Sequence, residues 1–135
     1  MPSTYSTNFR FELIGSGEQQ GTWGTTTNTN LGTLIEEAIG GYVTVTVADS
    51  ALGTTLTANN GTSDQSRNMI INLTSAGNLT ATREVFCPAI EKLYVVRNAT
   101  TNNFPVTFRV ANSNVITHPG VSTVSYTHLT LPTKA

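Results

Sequence analysis

The sequence predicts a mainly β domain, either an antiparallel sandwich or a small barrel-like sheet, with one short N-terminal helix. Three observations predict it. Thr and Asn dominate the polar residues, while only 11% of the chain is charged, against about 25% in an average globular domain. Short β-branched runs recur at roughly ten-residue intervals, the spacing of strands in small all-β folds. Clusters of Asn, Ser, Asp and Gly separate these runs, and each of those residue types favours a turn.

The elements follow in order. Phe9, Phe11 and Leu13 alternate with Arg10 and Glu12, a period of two that predicts a half-buried strand or extended arm, with the charges outward. Gly15 and Gly17 end it. Leu31, Leu34, Ile35 and Ala38 stand at helical spacing, with Asn28 or Asn30 as a candidate N-cap and Gly40 as a left-handed stop. So short a helix needs a docking surface. Trp23, in Gly21-Thr22-Trp23-Gly24, is the expected buried neighbour, and Trp23→Ala would then cost roughly 3–5 kcal/mol. From Tyr42 the period returns to two, with Val43, Val45 and Val47 opposite Thr44 and Thr46. Further strands are expected at 54–57, 68–74, 79–86, 92–98 and 105–111, and a weaker one near 115–117. The organisation read from this is an arm with the Trp motif (1–24), a short helix (25–41), a β domain (42–123) and a tail (124–135).

Composition excludes several classes of function. Formal net charge is −1, and Lys and Arg are scattered singly, so no basic stripe addresses nucleic acid. Apolar runs are too short for a membrane span, and the N-terminus has neither the basic nor the apolar region of a secretory signal. Cys87 is the single cysteine, which rules out an intramolecular disulfide. It follows an apolar strand and precedes Pro88, the setting of a small buried hydrophobe rather than a reactive thiol.

No catalytic constellation emerges. A nucleophilic triad needs a base, and His118 in Thr117-His118-Pro119-Gly120 reads as a surface turn. Glu36 and Glu37 read as a solvated helix face, and Asp49, Asp64, Glu84 and Glu91 are isolated in sequence. No His/Cys spacing suits zinc and no alternating acids suit calcium, so neither metal nor cofactor is expected. Gly15-Ser16-Gly17 lacks the remaining glycine and the lysine of a phosphate loop. What remains is a packing or assembly motif: Gly21, Trp23, Gly24, Leu31, Leu34 and Ile35.

Two stretches carry a family likeness. One is residues 3–36, most specifically the run Gly15-Ser16-Gly17-Glu18-Gln19-Gln20-Gly21-Thr22-Trp23-Gly24 leading into the helix. The other is Lys92-Leu93-Tyr94-Val95-Val96-Arg97-Asn98-Ala99-Thr100. Together they resemble the N-terminal part of tailed-bacteriophage virion structural proteins of the tail-fibre kind. The resemblance implies a non-enzymatic role in a phage tail, with other virion proteins as partners and a homo-oligomer, commonly a trimer, as the assembly. The alternative is a carbohydrate-binding or adhesin-like module whose partner is a host-surface glycan. Tyr42, Trp23 and Tyr94 would then line one open groove. Val124-Ser125-Tyr126-Thr127-His128-Leu129-Thr130-Leu131-Pro132-Thr133 resembles the translation of a transposon-end sequencing adapter, so 124–135 is expected to be non-native.

Overall fold

The computed structural model describes residues 2–110 in full and, beyond them, the backbone of strands Val115–His118 and Thr123–Leu129. The remainder of the 124–135 tail lies outside the described residues. A two-stranded antiparallel ribbon, β1 (Thr4–Tyr5) and β2 (Glu12–Leu13), precedes a helix built from α1 (Trp23–Thr29), a π-helical segment (Asn30–Leu34) and α2 (Ile35–Gly40). Eight strands follow: β3 (Tyr42–Val47), β4 (Thr54–Thr55), β5 (Ile70–Ser75), β6 (Arg83–Cys87), β7 (Lys92–Asn98), β8 (Val106–Val110), β9 (Val115–His118) and β10 (Thr123–Leu129).

The strands form two four-stranded sheets, ordered β10-β7-β5-β3 and β4-β6-β8-β9. Strands β3, β5 and β7 are parallel, as are β4, β6 and β8; only β9 and β10 run antiparallel to their neighbours. This overturns the expected antiparallel sandwich or barrel-like sheet. The chain is mixed α/β with largely parallel sheets and no closed barrel. The physical reason lies in the connections. From β3 to β8 the chain crosses to the opposite sheet after each strand, so next-but-one strands become neighbours and run the same way. Turn residues mark where strands end but not which strand is the next partner.

Each strand pair, β3–β4, β5–β6 and β7–β8, is therefore one turn of a two-sheet coil, and the turns stack in register. Val43 aligns with Ile71 and Ile71 with Val96, while in the second sheet Val85 aligns with Phe108. Between the sheets Val45, Val47, Ile71, Leu73, Tyr94 and Val96 meet Val85, Cys87, Val106 and Phe108 in one apolar cluster. The Tyr94 and Phe108 rings pack edge to face at 5.2 Å.

Neutral polar side chains stitch one turn to the next, which is the structural use of the Thr- and Asn-rich composition. Thr101 Oγ1 donates to Gly77 O (2.7 Å) and Asn102 Nδ2 to Leu79 O (2.9 Å). Asn72 Nδ2 reaches Thr44 Oγ1 (3.3 Å). The corner before β8 turns at Asn102 and Asn103, both left-handed (φ 78° and 57°), a conformation that Asn tolerates better than most residues.

This cluster and the residues packed on it lie between Val43 and Val110, whereas β10 lines the outer edge of β7. Deleting residues 124–135 should accordingly lower the thermal midpoint by no more than about 4 °C, on the order of 1 kcal/mol for a chain of this size. A circular-dichroism melt checks this. Loss of the cooperative transition would make β10 an integral strand.

Candidate functional site

A buried polar hub attaches the N-terminal arm and the helix to the coil. The segment 64–68, just before β5, is its centre. Arg67 is fully buried and spends its guanidinium on three parts of the chain. Nε donates to Phe9 O in the arm (2.8 Å), Nη1 to Thr62 O (2.6 Å) and to Glu37 Oε2 on α2 (3.2 Å), and Nη2 to Asn59 O (2.9 Å). Asp64, also buried, accepts from Arg10 Nη2 and the Asn59 N–H on one oxygen (2.7 Å each). Its other oxygen accepts from the Arg67 N–H (2.7 Å) and Ser66 Oγ (3.2 Å). Lys92 points inward from β7, and its Nζ donates to the carbonyls of Ser66, Arg67 and Asn68, while Tyr94 Oη donates to Ser66 O (2.9 Å).

The electrostatics follow from burial. Burial alone would raise the Asp64 carboxyl, but Arg10, the backbone N–H groups of Asn59 and Arg67 and the Arg67 charge hold it below the usual carboxylate range. Burial drives the Lys92 ammonium down to about 7; Arg10 and Arg67 push the same way, against Asp64 and Glu37. The Cys87 thiol is pushed up to about 12, chiefly by burial, which fits the inert thiol read from the sequence.

Sequence reasoning missed this hub. Arg10 was read as outward, yet its left-handed backbone (φ 54°) breaks the alternation and turns the side chain in toward Asp64. Glu37, expected on a solvated helix face, pairs with Arg67 instead. One signal was available: Lys92 shares the inward register of Tyr94 and Val96, where an isolated lysine demands acceptors.

The expected assembly motif is divided by the structure. Leu34 is fully buried and Ile35 half-buried, whereas Trp23 (60% exposed) and Leu31 (59%) face solvent. Trp23 is therefore not the buried neighbour of the helix. The helix starts at Trp23 and runs to Gly40, and its π segment adds a residue to one turn. That extra residue takes Leu31 out of the stripe predicted for an ideal α-helix. Asn30 is not a cap but lies inside the helix and clasps β2, accepting from the Glu12 N–H (3.2 Å) and donating to Glu12 O (2.8 Å). Gly21 supplies a left-handed turn before the helix (φ 83°), while Gly24 has open space around it. Gly40 is the last helical residue, and the closely packed glycine is Gly41, where a Cβ would fall 2.4 Å from both Asn68 Oδ1 and Glu37 O.

With Ile39 (70% exposed) and Tyr42, Trp23 and Leu31 leave an apolar helix surface uncovered. Tyr94 is buried in the core, so the three aromatics proposed for glycan binding do not line one groove. An open cavity of about 390 Å³ lies between the helix and β3, lined by Gly32, Glu36, Glu37, Tyr42 and Asn68. Neither Arg67 nor Lys92 lines it. Among the described residues no group of three His, Cys, Asp or Glu could hold a metal, and no helix is long and apolar enough to cross a membrane. In comparisons with known proteins, no family model, no curated protein and no solved structure matches the chain.

Two predictions follow from the hub. Asp64→Ala leaves Arg67 and Arg10 without their buried counter-ion and should cost about 3–5 kcal/mol in urea unfolding. A loss below about 1 kcal/mol would show that the pair is dispensable. For pH, Lys92 binds a proton less readily folded (about 7) than unfolded (10.5). The unfolded state therefore holds more protons in that interval, and stability rises with pH from about 7 upward. Cys87 and Tyr94, both raised on folding, act in the opposite sense once the unfolded thiol ionises near 9.0. The expected observation is an upward slope of unfolding free energy between about pH 7 and 8.5 that disappears in Lys92→Met.

Proposed function

We propose that this chain is a non-enzymatic structural component of a phage particle, a tail or tail-fibre protein that works by assembly. The observation that carries the reading is the solvent exposure of three large apolar helix side chains, Trp23, Leu31 and Ile39. Three large apolar side chains left exposed along one helix of a small domain support an interaction role. The likeness of residues 3–36 and 92–100 to virion structural proteins supports the same role, as does a polar surface of neutral Thr and Asn that packs against copies of itself without like-charge repulsion. The partners are further copies of the chain and other virion proteins, and the location is the phage tail.

The test pairs assembly with stability. Trp23→Ser combined with Leu31→Asp should cost less than about 1 kcal/mol, because both side chains are exposed. Native mass spectrometry should show an oligomer for the wild-type chain and its loss in this variant. A variant that assembles as well as wild type would overturn the helix-face reading.

A further inference from the structure

The edge of the first sheet at β3 is open. Gly41 O accepts the Ile70 N–H (2.8 Å), and Val45 O takes a hydrogen bond from Thr74 Oγ1 (3.5 Å), so the odd-numbered residues of β3 face β5. Backbone groups alternate along a strand, which turns the N–H and C=O of Tyr42, Thr44 and Thr46 outward. Among the described residues nothing hydrogen-bonds to them there; β5 is the only strand paired with β3. Natural edges are blunted by charge, proline, a bulge or shortness. The matching edge of the second sheet, β4, has only two residues. β3 has six, Tyr-Val-Thr-Val-Thr-Val, with no charge and no proline.

We infer that β3 pairs antiparallel with the β3 of a second copy about a two-fold axis at Thr44, making one continuous sheet across the dimer. The occupant is a second copy because the edge is self-complementary. In this register the two Thr44 residues exchange both hydrogen bonds, and Tyr42 does so with Thr46 of the other copy, using every outward group. Val43 then stands opposite Val45 of the other copy on the core side. The flanks agree. Leu52 (88% exposed) follows one end of β3, and Ile39 precedes the other. The two-fold brings the Leu52 end of each copy beside the Ile39 end of the other, so both apolar side chains gain cover. The inference rests on the assembly part of the function proposed above and supplies one specific interface for it.

The full-length chain provides the test. Thr44→Cys places thiols with Cβ atoms about 5 Å apart across the axis, whereas the Thr46→Cys pair is offset by four residues, about 13 Å along the strand. Cys87 is buried and stays silent. A short bismaleimide should cross-link Thr44→Cys at least tenfold faster than Thr46→Cys. Thr44→Pro removes the outward N–H, which an edge strand tolerates, along with the hydroxyl that accepts from Asn72 Nδ2, and should give a monomer that still melts in one cooperative transition. If that variant does not fold, Thr44→Lys, which sets like charges opposite each other, should weaken the dimer at least tenfold. Equal cross-linking at both positions, or a dimer that persists in Thr44→Pro or Thr44→Lys, would overturn the β3 interface. If assembly then still depends on Trp23 and Leu31, the helix-face reading survives without it. A wild-type chain that stays monomeric at high micromolar concentration would overturn both.

Discussion

Arg67 carries a full positive charge with no access to water, and the chain N-terminal to β3 is arranged around the need to satisfy it. A buried guanidinium is tolerable only when its donors and its charge both find partners. The donors go to Phe9, Thr62, Asn59 and Glu37, and the charge is answered by Asp64 and Glu37. Because these partners come from the arm, the helix and the loop before β5, satisfying one side chain joins three segments that share little apolar core. Leu34 is the one fully buried side chain of the helix. Polar attachment here replaces a hydrophobic one, and the geometric demands of a guanidinium fork set the arm's path more sharply than apolar packing would.

Lys92 completes the arrangement from the β side. Its ammonium meets the carbonyls of Ser66, Arg67 and Asn68 and lies 4.6 Å from the centre of the Tyr94 ring. Three donor hydrogens match three acceptors, so the segment 64–68 is held by its side chains toward the arm and by its carbonyls toward β7. The hub gathers three cations and two carboxylates; burial is the main cause of the depressed proton affinity of Lys92, and Arg10 and Arg67 add to it. Of the hub's charged groups only Glu37 lines the cavity between the helix and β3; Arg10, Asp64, Arg67 and Lys92 do not. The hub is therefore an anchor, and the exposed features lie elsewhere, on the helix and along β3.

That separation fits an assembly protein. The coil buries its Val, Ile and Leu between two sheets and stacks its turns through Thr, Ser and Asn, leaving few charges at the surface. Low surface charge, exposed apolar side chains on the helix and an unblunted strand edge support the assembly role proposed above. Stacking parallel turns also creates the edge in the first place, since the first turn of any such coil has no earlier turn to pair with.

The sequence by itself determined where the strands are and what they bury. Alternation marked β3 with its inward Val43, Val45 and Val47, short β-branched runs between turn clusters marked β5 to β8 to within a few residues, and Cys87 read as buried lies in the core. This was legible because alternation and turn chemistry are local. Strand partnership, the path of the arm and the exposure of Trp23 were settled only by the tertiary structure. Parallel stacking depends on which sheet each connection crosses to, the arm turns inward at a left-handed Arg10, and a π segment shifts the helix stripe. Above all, Arg10, Glu37, Asp64, Arg67 and Lys92 span more than eighty residues of sequence; their meeting follows from charge seeking charge at long range, and no local pattern records it.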